Sequence, residues 1–264
     1  MKEKSKLWLV IIIVLAITAC DNFSSNNDTV TTPDYALRVH LGENVIRKHE
    51  NVNLGEVVQL TGITWNGTTL TLNLNNFSFE TTSNLGLDLP MGNITIILNG
   101  TNIIKSTGVA IVANSNGIII EGSGSLTATG TGHIGINLIG TPKILTISGS
   151  TVNAHGRTRG MIVGSLIINN GANVTATADI SDSSSLGIWV GMGGELSLNN
   201  GMVTMSGNRA VMNYSEYPSL NYTIPNGFKY WVSTTTTPNT TELIGNGIST
   251  VIDSTHKWAR VQTP

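Results

Sequence analysis

The sequence predicts an all-β protein folded as a parallel β-helix, a solenoid of about six three-strand turns with N- and C-terminal caps. One unit of short, alternating apolar strands recurs about every 25 residues between residues 70 and 214. The segments between the strands are rich in Asn, Gly and Ser, and only 11% of the residues are charged. A repeat of this length with several strands in each unit is typical of a solenoid, in which each turn pairs with the one below.

The chain opens with the pattern of a secretory signal. Three lysines precede an apolar run over residues 7–16, and the tetrapeptide ITAC follows, ending at Cys20. Such a run is too short to span a bilayer permanently. ITAC resembles a lipobox, at which bacteria attach a diacylglycerol to the cysteine and cleave just before it. We therefore predict a lipoprotein signal peptide over residues 1–19 and lipidation of Cys20; the alternative is an ordinary signal peptide that contains a cysteine by chance.

The predicted lipid fixes the expected location, which is the cell envelope. Each buried methylene contributes about 0.8 kcal/mol of membrane affinity, so two or three acyl chains form a durable anchor. We expect the outer membrane or cell surface rather than the inner membrane, although Asp21 after the cysteine resembles an inner-membrane retention signal of enteric bacteria. Residues 20–34, the acylated cysteine and a polar tract, are predicted to be a flexible tether.

The composition excludes several kinds of partner and chemistry. Removal of the signal peptide leaves 11 Lys and Arg against 15 Asp and Glu, a formal charge of −4, which argues against nucleic acid as a ligand. Cys20 is the only cysteine, so its acylation leaves no thiol for a disulfide or for catalysis. We predict no cofactor; the run DISDSSS from Asp179 lacks the spacing and central Gly of a calcium loop, so calcium is an unsupported alternative.

Each repeat contains a first strand, a turn, a short second strand, a polar loop and a third strand usually opened by Gly. The first strands are LTLNL at 70, ITIIL at 94, IIIE at 118, LTIS at 145, LIIN at 166 and LSLN at 196. Because side chains alternate across a strand, the apolar members should point into the solenoid. The predicted inward residues are Leu145/Ile147, Leu166/Ile168 and Leu196/Leu198 in first strands, Leu126/Ala128, Val152/Ala154, Val174/Ala176 and Val203/Met205 in second strands, and Leu87/Leu89, Ile136/Leu138, Met161/Val163 and Ile188/Val190 in third strands.

The turns between first and second strands, and the two ends, complete the architecture. Asn-Asn, Asn-Gly and Ser-Gly pairs occupy these turns, where they would adopt the left-handed backbone of a sharp corner and allow stacked Asn side chains to form a ladder. The ends of a solenoid expose open sheet edges that must be covered. We predict an N-terminal cap or first strands over residues 35–69, repeats over 70–214 and C-terminal capping strands over 215–264.

The repeats resemble those of a known class of protein. The runs GNITIILNGTNIIKSTGVAIVA, IIIEGSGSLTATG and LTISGSTVNAHG are similar to the repeat units of bacterial cell-surface proteins with a carbohydrate-binding domain of the parallel β-helix type, and the tail with KYWV resembles that of spirochaete lipoproteins of this kind. The resemblance covers about residues 60–214. It implies a parallel β-helix that binds plant or cell-wall polysaccharides; such proteins also use bound calcium and acidic clusters, which are sparse in this chain.

The loops between second and third strands carry most of the charge in the repeats. Of the 11 Asp, Glu, Lys and Arg residues between 70 and 214, seven fall on this edge. The residues on the edge are Glu80, Lys105, His133, His155, Arg157, Arg159, Asp179, Asp182 and Arg209. Guanidinium and carboxylate groups suit the hydroxyl and acid groups of a sugar polymer, which favours a ligand-binding edge. The alternative is a solvated edge on which the arginines pair with Asp179 or Asp182 for about 0 to 1 kcal/mol.

Trp189 is the remaining candidate. It is expected at the middle, outward position of a third strand, in one column with Asp88, Asn137, Ile162 and Met212. An exposed indole would stack against a pyranose ring, whereas an apolar column could instead be covered by the C-terminal tail. The candidate ligand-binding residues are therefore His155, Arg157, Arg159, Asp179, Asp182 and Trp189.

Three classes of function remain open. We favour a non-catalytic binding lipoprotein with a polysaccharide or glycan ligand. A polysaccharide lyase or glycoside hydrolase is the first alternative, but hydrolysis needs two carboxylates roughly 5 to 9.5 Å apart and the sequence offers no convincing pair. A structural or host-facing adhesin without sugar specificity is the second. The sequence makes no prediction of the oligomeric state, the specific ligand or any metal.

Overall fold

The computed structural model describes ten segments of the chain. They are residues 37–41, 44–48, 52–53, 60–138, 143–191, 193–213, 222–223, 226–245, 251–253 and 255–264. The chain divides into two units, residues 1–34 and 35–264, and every described residue belongs to the second. The predicted signal peptide, the lipidation of Cys20 and the tether over residues 20–34 lie outside the described residues. No helix in the described segments is long and apolar enough to cross a bilayer.

Twenty-seven strands build the described part of the chain. The N-terminal strands are β1 (Leu37–Leu41), β2 (Asn44–Lys48), β3 (Val52–Asn53) and β4 (Ile63–Asn66). The six repeats follow as β5 (Thr71–Asn75), β6 (Ser78–Glu80), β7 (Leu85–Leu89), β8 (Asn93–Asn99), β9 (Thr101–Ser106), β10 (Val109–Ala113), β11 (Gly117–Gly122), β12 (Ser125–Gly130), β13 (Ile134–Leu138), β14 (Ile144–Ser148), β15 (Thr151–Gly156), β16 (Arg159–Val163), β17 (Ser165–Asn169), β18 (Ala172–Ala178), β19 (Leu186–Val190), β20 (Leu196–Leu198), β21 (Gly201–Ser206) and β22 (Arg209–Asn213). The C-terminal strands are β23 (Tyr222–Thr223), β24 (Lys229–Ser233), β25 (Leu243–Ile244), β26 (Val251–Ile252) and β27 (Trp258–Gln262).

The repeat strands wind into six turns of a parallel solenoid. Sheet 1 contains the first strand of each turn (β5, β8, β11, β14, β17, β20), sheet 2 the second (β6, β9, β12, β15, β18, β21) and sheet 3 the third (β7, β10, β13, β16, β19, β22). All pairs between successive turns are parallel and nearly all are in register, as in Leu145 opposite Leu166 and Val152 opposite Val174. The predicted all-β parallel β-helix of about six three-strand turns is confirmed.

The interior is built by the alternation expected from the sequence. Every residue predicted to point inward is buried, from Leu87 in the first turn to Met205 in the last. Burial of each such Leu, Ile or Val side chain contributes about 1.5 to 3 kcal/mol, so stacked apolar columns supply the main stabilisation. The core runs without interruption through the repeats and into both caps, where it includes Trp65 and Val261.

Antiparallel strands cap both ends of the solenoid. At the N-terminal end β1 pairs with β7 in sheet 3, and β4 pairs with β5 in sheet 1. The side chain of Arg38 on β1 forms an ion pair of 2.8 Å with Asp88 on β7. At the C-terminal end β27 pairs with β21, and β24 and β25 continue sheet 2 outward. These strands pair with three of the six terminal edges, which would otherwise expose unpaired backbone groups, while β6, β20 and β22 end their sheets in the described part of the chain.

The corner between sheets 1 and 2, called the neutral corner, has the predicted left-handed backbone. Asn76 and Asn170 adopt φ of 52° and 53°, and Gly100 and Gly149 adopt 62° and 68°. The turn at 199 has the same feature at Asn200, with φ of 130°. Only Gly, and less readily Asn, tolerates this region, which explains the composition of these turns.

Side chains at the neutral corner bond between turns. The Asn199 amide donates to Asn169 Oδ1 at 3.0 Å, and the Asn170 amide donates to Ser148 Oγ at 2.7 Å. The stacked ladder expected at this corner is therefore present between turns four, five and six.

A column of small residues lies where sheet 2 turns into sheet 3. The second position of each third strand is Gly86, Ala110, Gly135, Gly160, Gly187 or Ala210. A Cβ on Gly135 would lie 2.7 Å from both the His155 nitrogen and the Gly160 oxygen, and one on Gly160 would lie 2.6 Å from the Thr177 nitrogen. The second residue of each third strand is small because the backbone passes this close to sheet 2 at that position. The loops at this junction form what we call the charged corner.

Candidate functional site

Side chains at the charged corner meet their counterparts on the neighbouring turn. The second strands pair Glu80 with Lys105, and the Lys105 amine lies 2.6 Å from Glu80 Oε1. The same column continues through Thr129, His155 and Thr177. The stacking predicted for this edge is therefore present, and the six candidate residues on turns four and five can be considered together. We call them the rim: His155, Arg157, Arg159, Asp179, Asp182 and Trp189.

His155 ends the second strand of turn four and bonds to turn five. Its Nε2 lies 3.5 Å from Asp179 Oδ1, and its Nδ1 lies 2.9 Å from Thr177 Oγ1. Both His155 and Asp179 keep more than two fifths of their side-chain surface exposed, at 42% and 46%. The pair is thus oriented by the fold and remains open to a ligand.

Arg159 and Trp189 form the most enclosed contact of the rim. Arg159 opens the third strand of turn four, and its guanidinium carbon lies 4.6 Å from the centroid of the Trp189 ring on turn five. A cation over an indole face contributes about 0.5 to 2 kcal/mol, depending on its desolvation. Burial lowers the pKa of Arg159, while the negative charge of Asp182 raises it. Among the described residues, Arg159 Nε is buried and has no hydrogen-bond partner.

Asp182 is held in its ionised form by its own loop. The Ser184 hydroxyl and backbone N–H both donate to Asp182 Oδ1, at 2.7 Å and 2.8 Å. The two hydrogen bonds from Ser184 have the largest effects and lower the pKa of Asp182, desolvation opposes them, and the charges of Arg157 and Arg159 lower the pKa further by smaller amounts. The backbone oxygen of Asp182 also accepts a hydrogen bond from the amide of Asn208 on turn six, which anchors the loop.

The rim arginines do not pair with the rim aspartates by direct contact. In the segments that the structure describes, Asp179 contacts His155, and neither Arg157 nor Arg159 forms an ion pair with either aspartate. Arg157 is exposed, and the Arg159 guanidinium packs against the Trp189 ring. The alternative in which the rim arginines pair directly with Asp179 or Asp182 is therefore not what the structure shows.

Trp189 lies on the outward face of sheet 3, as predicted. In-register pairing forms one column from Asp88, Val112, Asn137, Ile162, Trp189 and Met212. The Trp189 side chain is half-buried. Among the described strands of the C-terminal tail, β24, β25 and β27 extend sheet 2, whereas β23 and β26 pair with each other in a separate sheet, so none of these strands pairs with sheet 3.

Two other residues of the predicted edge lie beside the rim. His133 Nδ1 lies 3.2 Å from the hydroxyl of Thr158 on the next turn. Arg209 lies opposite Leu186 at the start of the last third strand. Across the described residues, no three His, Cys, Asp or Glu side chains come together in a way that could hold a metal ion.

Comparisons with protein-family models, curated proteins and solved structures found no match to this chain. The rim is therefore interpreted from its own chemistry. It combines two cations, two carboxylates, an imidazole and a half-buried indole on two neighbouring turns. Such a set offers hydrogen-bond donors, acceptors and an aromatic surface within one patch.

Sequence reasoning missed a second cluster in which an arginine contacts indole rings. Arg260 lies between the rings of Trp231 and Trp258 on the C-terminal cap, with centroid distances of 6.0 Å and 5.6 Å. The signal that could have found it is the alternation W-x-R-x-Q over residues 258–262, which puts Trp, Arg and Gln on one face of a strand. Its partner strand could not be identified without the antiparallel pairing of the tail.

Proposed function

We propose that this protein is a non-catalytic binding lipoprotein of the cell envelope that recognises a carbohydrate polymer through the rim. The observation that carries the proposal is the contact of Arg159 with Trp189 beside an ionised Asp182. A guanidinium that rests on an indole has its N–H donors fixed in direction but not used by a carboxylate. A ligand with several hydroxyl groups can accept from this guanidinium and donate to Asp182 at the same time.

The direction of the Asp182 pKa supports binding over hydrolysis. A glycoside hydrolase needs one carboxylic acid whose pKa is raised, so that it remains protonated and donates to the leaving oxygen. The pKa of Asp182 is lowered, chiefly by its hydrogen bonds to Ser184. Asp179 is the only other carboxylate of the rim, and it lies beside the imidazole of His155. We therefore propose that the rim binds without turnover.

A glycan array probed with the full-length protein in detergent tests the proposal. We expect retention on a defined set of polysaccharides and no release of reducing ends on prolonged incubation. Arg157→Gln should weaken binding because Arg157 is an exposed cation of the rim. Lys105→Gln is the matched control, since Lys105 is a cation of the same corner that is already paired with Glu80.

The outcomes separate the three classes of function. Selective binding that is weakened by Arg157→Gln but not by Lys105→Gln supports the proposal. Release of sugar products would replace it with a lyase or hydrolase. Binding to no glycan on the array would favour the adhesin.

A further inference from the structure

The second cluster lies on the outer face of sheet 2, where the C-terminal cap joins the last turn. On β27, Ala259 and Val261 are fully buried and point into the core, so Arg260 points outward. Its Nε donates to Thr204 Oγ1 of β21 at 3.2 Å. Together with the Trp231 and Trp258 rings, this bond holds the guanidinium in place on the surface.

The strand register identifies the neighbours of Arg260 on that face. Thr204 lies opposite it on β21, and Trp231 lies opposite it on β24. Trp258 and Gln262 flank it on its own strand. The diagonal positions are Met202, Ser206, Lys229 and Ser233.

None of these eight described neighbours is acidic. The only other charged side chain among them is Lys229, which already forms an ion pair of 3.2 Å with Glu242. In the part of the chain that the structure describes, Arg260 forms no ion pair of its own. The guanidinium therefore presents an uncompensated positive charge between two indoles, although the protein as a whole has a formal charge of −2.

A hollow of about 330 Å³ opens next to two of these neighbours. Its lining includes Gln262 and Met202, both neighbours of Arg260, together with the amides of Asn173 and Asn200. No lining residue has a charged side chain. Gly171 leaves open space at one side, since nothing lies within 4 Å of the position of a Cβ there. Amide groups around a hollow without charged side chains suit the neighbouring hydroxyls of a sugar ring.

We propose that Arg260, Trp231 and this hollow form a second subsite, which takes an acidic unit of a saccharide chain. The guanidinium binds the anionic group in bidentate fashion, the Trp231 ring packs against the sugar, and the amides of the hollow bond to the hydroxyls of an adjacent unit. This inference rests on the proposed function and narrows its ligand to an acidic glycan.

The position of the subsite also gives the direction of the bound chain. Sheet 2 carries His155 of the rim on β15 and Arg260 on β27, with β18 and β21 between them. Three strand spacings separate β15 from β27, about 14 Å at the usual spacing. A polymer that runs across the strands, parallel to the solenoid axis, contacts the rim and the subsite at once.

Indole N–H signals in nitrogen-15 NMR spectra of the full-length protein distinguish the two sites. The protein is kept in a detergent without a sugar headgroup, and Trp189→Phe and Trp231→Phe assign the reporters of the rim and of the subsite. The probes are a galacturonate oligosaccharide, its carboxyl-reduced neutral counterpart and a sulfated galactan oligosaccharide. The two acidic probes show whether the anionic group is a carboxylate or a sulfate.

We expect the Trp231 signal to shift with an acidic probe and not with the neutral one. Arg260→Gln should weaken binding of that probe at least about tenfold, as expected for loss of a charge-assisted hydrogen bond, and leave weak binding of the neutral probe unchanged. Gln at this position can still donate to Thr204, and the melting temperature shows whether the cap is intact. The comparison of acidic with neutral probe on the unmodified protein does not depend on any variant.

Two results would overturn the subsite. One is a Trp231 signal that shifts as much with the neutral probe as with the acidic probes, or that shifts with none of the three. The other is a response only to acidic phospholipid added to the micelle, which would assign the cation to the membrane surface. In either case, a glycan-induced shift of the Trp189 signal would still support the proposed function. A shift of Trp231 without one of Trp189 would support the subsite and reject the rim.

Discussion

The neutral corner and the charged corner repeat with the same period but differ in whether the polar side chains of turns four and five are all paired. At the neutral corner the amides of Asn170 and Asn199 bond to side chains of the adjacent turn. At the charged corner Arg157 is exposed, and Arg159 contacts an indole in place of a carboxylate. Polar groups that satisfy one another stabilise the fold, whereas oriented groups that remain open are available to a ligand.

The neutral corner should therefore respond to mutation through stability, and its strongest response is expected at Asn102. This side chain is fully buried; it accepts from the Phe77 N–H at 2.9 Å and donates to the Asn99 and Ser125 oxygens at 3.1 Å and 3.0 Å. Asn102→Ala leaves the Phe77 N–H without its acceptor, at about 1 to 3 kcal/mol, and removes the bonds to the Asn99 and Ser125 oxygens, at about 0.5 to 1.5 kcal/mol each. The Asn99 oxygen still accepts from the Asn76 N–H. We expect a loss of about 3 to 5 kcal/mol in the free energy of unfolding.

Urea unfolding followed by circular dichroism measures this loss. Asn116→Ala is the control, because Asn116 is exposed and should change stability by less than about 0.5 kcal/mol. Equal stability of the two variants would show that the Asn102 bonds do not stabilise the corner.

The charged corner depends on the close approach of backbone at Gly160. A Cβ there would lie 2.6 Å from the Thr177 nitrogen and 2.7 Å from the Gly187 oxygen, so Gly160→Ala forces the turns apart. We expect the free energy of unfolding to fall by about 1 to 3 kcal/mol, which a thermal melt measures. Gly117→Ala is the matched control, since its nearest atoms would lie at 3.5 Å and 3.7 Å. Tolerance of both substitutions would contradict the packing described at this corner.

Replacement of Trp189 separates packing from recognition at the rim. Because its side chain is half-buried and lies under Arg159, Trp189→Ala should lower the free energy of unfolding by about 2 kcal/mol or less. Glycan affinity should fall about tenfold, as for the loss of an aromatic contact worth about 1.4 kcal/mol. A large drop in melting temperature with unchanged affinity would make Trp189 a structural residue only.

The smallest expected effect concerns the titration of Asp182. Ser184→Ala removes the hydroxyl that contributes most to its lowered pKa, so the pKa should rise toward the ordinary aspartate value. A group whose pKa is lowered by folding stabilises the protein above its unfolded pKa, about 3.9, and that contribution disappears as the pH falls through the folded pKa. Carboxyl carbon-13 NMR follows the titration. Ser181→Ala, a change of an exposed serine in the same loop, should leave it unmoved.

Much of the fold could be predicted because the interior is a repeated, one-dimensional pattern. Alternating apolar residues such as Leu145 and Ile147 fix the inward face of each strand, and Asn or Gly fixes each corner. The rim contacts could not be predicted, because the repeat shows which residues are neighbours but the side-chain rotamers decide which of them touch. Asp179 contacts His155 although its backbone N–H donates to the Arg157 oxygen. Arg260 was missed because its neighbours come from antiparallel strands with no repeat to align.

The most direct test of the account compares the two corners in one binding measurement. The double variant Arg157→Gln/Arg159→Gln alters the charged corner, and Asn169→Ala/Asn199→Ala removes the ladder of the neutral corner. Isothermal titration calorimetry of each full-length variant with the best polysaccharide from the array gives both affinities. We predict that the arginine variant loses binding while the asparagine variant keeps the affinity of the unmodified protein despite a lower melting temperature. Equal affinity of both variants, or a loss only in the asparagine variant, would contradict the assignment of recognition to the charged corner.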